Sequence, residues 1–228
     1  MSDSVTSPAR SLAAEFLGSA LLATVVVGSG IAAERLSPND TGLQLLENAF
    51  ATALALPVLI LVFASLSGAH FNPVVSLVDA GLGGRSWRAI GGYIPAQILG
   101  CIGGVMLANL MFDAPAVSWS TTDRLTPAHF LAEIVATAGL VLVIFALARS
   151  GRHSAIAPAV GAYIGAAYFF TSSSSFANPA ITIGRMFSDS FAGIAPTSAP
   201  GFIAAQLIGG VLGFALVRWL YPRDLSST

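Results

Sequence analysis

The chain has 228 residues, of which 55% are hydrophobic and 9% charged, and its formal net charge is -1. A soluble domain carries about 25% charged residues, so an ordinary water-soluble domain is excluded, and near-neutrality without a basic run gives nucleic acid no footing as a partner. Cys101 stands alone, which excludes an intrachain disulfide.

The apolar residues fall in uncharged blocks, several of them near the roughly 20 residues that one bilayer crossing requires. Residues 1–10 form a short polar tail with no cleavable small-residue site before the first block, so that block is read as a retained helix, 11–33. Glu34, Arg35, Pro38, Asn39 and Asp40 make a polar loop. A second helix covers 45–66 and contains Pro57, which kinks it unless neighbours satisfy the freed carbonyl. Residues 73–80 are too few to span and are ended by Gly81, Gly83 and Gly84. A helix over 87–112, a polar loop over 113–126 and a helix over 127–148 follow, and Arg149 to His153 form a tight basic turn. The remaining spans are 154–170 and 200–221, separated by a Ser/Thr-rich link and a second short segment, 179–187, before the tail 222–228. The expected fold is thus an all-α integral membrane protein with six transmembrane helices and two re-entrant half-helices.

The two halves, 11–112 and 127–221, repeat. Ala14-Glu15-Phe16 matches Ala132-Glu133-Ile134, Asn72-Pro73 matches Asn178-Pro179, and the stretch around Gln97 matches that around Gln206, with offsets of 118, 106 and 109 residues. Three spanning helices per half is an odd number, so the second half is inverted relative to the first and the short segments enter from opposite faces. Orientation rests on arginine, since the chain has no lysine. One face carries Arg10, Arg85, Arg88, Arg149, Arg152, Arg218 and Arg223, the other Arg35, Arg124 and Arg185, which places both termini in the cytoplasm.

Non-helical backbone at membrane depth survives only where protein buries it or a wet cavity borders it. Two such breaks in matched places therefore imply a pore. Asn is a good N-cap and Pro suits the first helical position. An Asn whose side-chain carbonyl caps the helix turns its NH2 group to the cavity as a donor, and two helix N-termini oppose cations there. The pattern predicts a path for neutral polar solutes that resists protons and ions.

These paired boxes, Asn72-Pro73-Val74 and Asn178-Pro179-Ala180, resemble those of the aquaporins, the major intrinsic protein family; the likeness covers about residues 11–221, with Val74 departing from the commonest form. The resemblance implies a homotetramer with one pore per subunit, and buried Glu15 and Glu133 bonded to the backbones of the re-entrant loops. A carboxylate inside an apolar span needs partners; the alternative for Glu15 is snorkelling at a helix end. Gln97 and Gln206 either support the loops or pack helices together. His70, just before the first box, is expected in loop support, offering its backbone carbonyl to the pore, and no second His or Cys lies near enough for a metal site. Gly100, Gly103, Gly104, Gly209, Gly210 and Gly213 suit close helix packing.

The family's outer constriction, carried over by spacing from the boxes, falls on Thr52, Ala166, Ser175 and Ile181. Ile181 stands where the usual Arg would be, Thr52 in place of an aromatic and Ala166 in place of His. Loss of the Arg removes a fixed charge and five donors, and small residues leave the opening wide. The resemblance narrows to bacterial members of arsenic-handling type, in the plasma (inner) membrane. Arg185, four residues beyond Ile181, shares its helical face. It is either a displaced cation barrier in the outer vestibule or a surface Arg paired with Asp189.

The reading is a passive channel for water plus glycerol, urea or undissociated metalloid acids such as arsenite or antimonite. Its alternatives are a water-selective aquaporin and a non-conducting structural membrane protein. An intramembrane enzyme has no nucleophile, metal-ligand or cofactor constellation to work with: Glu15 and Glu133 are the buried carboxylates on offer.

Overall fold

The computed structural model describes residues 7–222. Their regular structure is helical: α1 (Pro8–Leu36), α2 (Thr41–Ser67), α3 (Pro73–Gly81), α4 (Trp87–Met111), α5 (Pro127–Arg149), α6 (His153–Phe170), α7 (Pro179–Arg185) and α8 (Ala199–Leu220). Six of the eight begin at a side-chain N-cap: Ser7, Asp40, Asn72, Ser86, Thr126 and Asn178 accept amide protons from their own first turns. Residues 8–10, expected in the polar tail, instead form the first turn of α1, because Ser7 caps it and Pro8 fits its first position. The rest of the expected tails, 1–6 and 223–228, and with them Arg223, lie outside the described residues.

Among the described residues, α1, α2, α4, α5 and α8 are long and apolar enough to cross a membrane. The sixth expected span, α6, has 18 residues. At 1.5 Å per residue it reaches about 27 Å, close to the hydrocarbon thickness, but the polar His153 and Ser154 take up its first turn, so the apolar stretch is shorter than in those five. The second half-helix is shorter than expected and stops at Arg185, where the chain turns into a buried loop over 186–198.

Packing pairs like with like. α1 lies along α4 and α5 along α8, while α2 packs on α6. Small residues decide the closest approaches. A Cβ on Gly100 or Gly104 would run into the Phe16 or Ala20 carbonyl of α1, and one on Gly209 or Gly213 would meet the Ile134 or Ala138 carbonyl of α5. Gly103 does not join them: a Cβ there would meet nothing within 4 Å, because Gly103 points to the outer surface. Helix α2 continues through Pro57, and Gly161 of α6 presses against both the Pro57 ring and the Ala53 carbonyl that the proline leaves unbonded. The half-helices α3 and α7 meet each other at the centre, with α4 and α8 beside both.

Candidate functional site

The centre is built twice from the same parts. Asn72 Oδ1 accepts the Val74 amide at 2.9 Å, and Asn178 Oδ1 accepts the Ala180 amide at 2.9 Å, so each Asn caps its half-helix. The carboxamide nitrogens cross over. Asn72 Nδ2 donates to the Ala177 carbonyl at 2.7 Å, and Asn178 Nδ2 donates to the Phe71 carbonyl at 2.8 Å. Each NH2 therefore spends one proton locking the opposite loop and keeps one for the cavity that both residues line.

The loops before the boxes are held in a conformation that L-residues resist. Ala69 and Phe71 have φ of 53° and 49°, and the corresponding Ser175 and Ala177 have 50° and 48°. Non-glycine residues there cost of order 1 to 3 kcal/mol each, so something must hold them. Glu15 does so in the first half: its carboxylate accepts the His70 amide at 3.0 Å, the Phe71 amide at 2.8 Å, the Ser67 hydroxyl at 2.6 Å and Gln97 Nε2 at 2.7 Å. Glu133 repeats the set with Phe176 (2.9 Å), Ala177 (2.9 Å), Ser173 (2.6 Å) and Gln206 (2.7 Å). Both glutamates are 0% exposed, so snorkelling does not apply. Gln97 and Gln206 also bond Ser76 of α3 and Thr182 of α7, at 2.9 Å each, which makes them loop supports. His70 is held through its amide by Glu15, and its ring Nδ1 lies 3.0 Å from Ser76 Oγ.

Above and below this centre runs a cavity of about 390 Å³. Its apolar wall is a set of four-residue stripes: Leu22 and Val26 on α1, Leu56 and Ile60 on α2, Leu140 and Ile144 on α5, and Val160 and Ile164 on α6. Of the expected constriction, Thr52, Ser175 and Ile181 line the cavity, as does Arg185. Ala166 does not. It is exposed on the outer surface of α6, because the α6 stripe advances by four from Val160 through Ile164 and reaches Tyr168. Tyr168 was missed by box spacing, although that stripe was there to be read. Pro73, Val74, Pro179 and Ala180 are buried but do not border the cavity; Val74 packs instead against Gly210 of α8.

Arg185 and Asp189 are not paired. Asp189 Oδ1 accepts the Thr121 amide at 2.9 Å, and Arg185 Nε donates to the Ala192 carbonyl. The Arg185 guanidinium lies 3.4 Å from the centre of the Phe176 ring. Arg124, on the 113–126 loop, lies 5.6 Å from the same ring and donates to the Gly193 and Phe191 carbonyls at 2.6 Å each. Burial draws the Arg124 pKa below the usual arginine value. No group of three or more His, Cys, Asp or Glu side chains is arranged for a metal among the described residues.

The family model described as Major intrinsic protein matches residues 2–176 and 153–228. The chain is 48% identical over 211 residues, 92% of its length and 90% of the relative's, to an aquaglyceroporin, AqpS, of Rhizobium meliloti. It is 30% identical over 224 residues to a glycerol uptake facilitator protein of Streptococcus pneumoniae, covering 89% of this chain and 94% of that one. An aquaglyceroporin structure from Plasmodium falciparum superposes with a TM-score of 0.72 at 24% identity, covering 92% of this chain and 96% of that one, which fixes the fold. The chain belongs to the major intrinsic protein family, whose members are channels and not enzymes.

Proposed function

We propose that this protein is a passive channel for small neutral solutes, passing glycerol, urea and undissociated metalloid acids such as arsenite and antimonite besides water, and excluding protons and ions. The observation that carries the reading is Ile181: the position three beyond the second Asn borders the cavity with a branched alkyl group in place of a fork of five charged donors. An apolar wall there gives alkyl faces of polyols a surface, and Thr52, Asn72 and Asn178 supply polar partners along the path. The aquaglyceroporin and the glycerol facilitator among its relatives support solutes larger than water. The protein acts as a homotetramer with one pore per subunit in the plasma membrane, both termini cytoplasmic, an orientation that rests on the arginine asymmetry.

A water-selective channel is the second reading, and Tyr168 favours it, since an aromatic ring beside Thr52 narrows the cavity on the α6 side. Stopped-flow light scattering on proteoliposomes separates the two. A glycerol gradient is compared with an impermeant osmolyte for the wild type and Ile181→Arg. Fast glycerol entry that the Arg variant blocks supports the broad channel, and arsenous and antimonous acids are then assayed in the same vesicles. Water flux without glycerol entry in both proteins overturns it.

A further inference from the structure

We propose that Arg185 is the cation barrier of this channel, so that charge selection and size selection occupy two different levels of the pore. The inference rests on the channel reading but not on which solute passes. Arg185 is 2% exposed and borders the cavity. Its Nε donates to the Ala192 carbonyl, its own carbonyl accepts the Ile194 amide at 3.3 Å, and its guanidinium face rests on Phe176. Among the described residues no carboxylate lies within salt-bridge distance of it; the one such pair is His70 with Asp79. A buried guanidinium without a counter-charge is expensive, and an ionisable residue at membrane depth marks an ion or solute path.

The support behind it is extensive. Arg124 sits on the same Phe176 ring and, through the Gly193 and Phe191 carbonyls, fixes the loop that presents the Ala192 carbonyl. Ala192 itself is wedged against Gly30 of α1, where a Cβ would come within 2.9 Å of the Ala192 methyl. The guanidinium is thereby anchored rather than free to swing out. It lies four residues beyond Ile181, about 6 Å further along α7 at the usual helical rise. A cation in the cavity meets this unneutralised charge in low dielectric, whereas a neutral solute meets only donors. The other charged groups bordering the cavity, Asp79 and Arg85, sit together, with Asp79 Oδ2 accepting the Arg85 amide at 2.8 Å. His70 Nε2 lies 3.8 Å from that carboxylate.

The test measures potassium leak in proteoliposomes, normalised to osmotic water flux, so a channel that passes water alone still reports on Arg185. Arg185→Gln is expected to raise the ratio at least tenfold, Arg185→Lys to stay within a few-fold of wild type, and Arg35→Gln, outside the cavity, to leave it unchanged. To separate charge from folding, Arg185→Cys in a Cys101→Ser background is labelled with a cationic or a neutral methanethiosulfonate. The cationic adduct is expected to leak less than the neutral one in otherwise identical protein. A wild-type ratio in Arg185→Gln with water flux retained, or equal leak through both adducts, overturns the proposal.

Discussion

Tyr168 Oη lies 3.2 Å from Thr52 Oγ1, joining α6 to α2 in the cavity wall. Thr52 already spends its one hydroxyl proton on the Asn48 carbonyl at 2.9 Å, so Tyr168 is the donor. Removing the ring removes the bulkiest polar side chain on that wall. Tyr168→Ala is expected to admit glycerol at least about threefold faster and to raise the rate for four-carbon polyols by a larger factor. Tyr168→Phe, which keeps the ring, is expected to lose only about 1 kcal/mol of stability. Solute uptake across a graded polyol series reads both, and an unchanged size limit in Tyr168→Ala would remove Tyr168 from the constriction.

The two buried glutamates make the same four contacts in the two halves. Glu15→Gln and Glu133→Gln each point an NH2 group at donors, and each is expected to lower stability by about 3 kcal/mol or more. Thermal unfolding in detergent should show comparable drops. A loss confined to one half would mean that the positive-φ loops are held by something other than these carboxylates.

Gly104 and Gly103 are neighbours on α4 with opposite surroundings. A Cβ on Gly104 overlaps the Ala20 carbonyl, whereas one on Gly103 meets nothing within 4 Å. Gly104→Ala is expected to cost at least 2 kcal/mol, since backbone must move, while Gly103→Ala should be neutral or stabilising by up to about 1 kcal/mol. Relative yields of folded protein and melting temperatures check the pair.

Mercuric ion should leave the wild type nearly untouched. Cys101 is 0% exposed inside the α4 packing, its Sγ 3.7 Å from the Ser19 carbonyl, and it does not border the cavity. Ser175 does. Ser175→Cys is expected to become inhibitable with reversal by thiol, and Cys101→Ser to behave as wild type in water-flux assays. Strong wild-type inhibition lost in Cys101→Ser would refute the assignment.

The helices and the two boxes were legible because membrane depth forces apolar runs and because Asn-Pro is a helix start with a mechanism. Glu15 and Glu133 were legible for a related reason, as carboxylates that cannot lie unpaired in a span. The serines that complete their shells, Ser67 and Ser173, were not singled out from the sequence, although the repeat offered a signal. Ser67 and Ser173 each lie five residues before a box Asn, and Leu22 and Leu140 each lie seven residues after a glutamate. The cavity lining was only partly legible. Thr52, Ser175 and Ile181, reached by counting from the boxes, do border the cavity, whereas the count across the Ser/Thr link arrived at Ala166 on the outer surface. Tyr168 was recoverable only from the stripe on its own helix. The Arg185 anchorage was not legible, since it depends on a carbonyl seven residues on in an irregular loop, which no local pattern specifies.

The crossed Asn bonds have a consequence for folding. Each half presents one NH2 donor and one loop carbonyl, and receives the same pair from the other, which is the self-complementary contact of a two-fold dimer carried within one polypeptide. Neither half is chemically complete alone: separated, each leaves a carboxamide and a loop carbonyl without their partners. A lesion at either Asn thus removes two holds at once, the cap of its own half-helix and the bond that fixes the opposite loop.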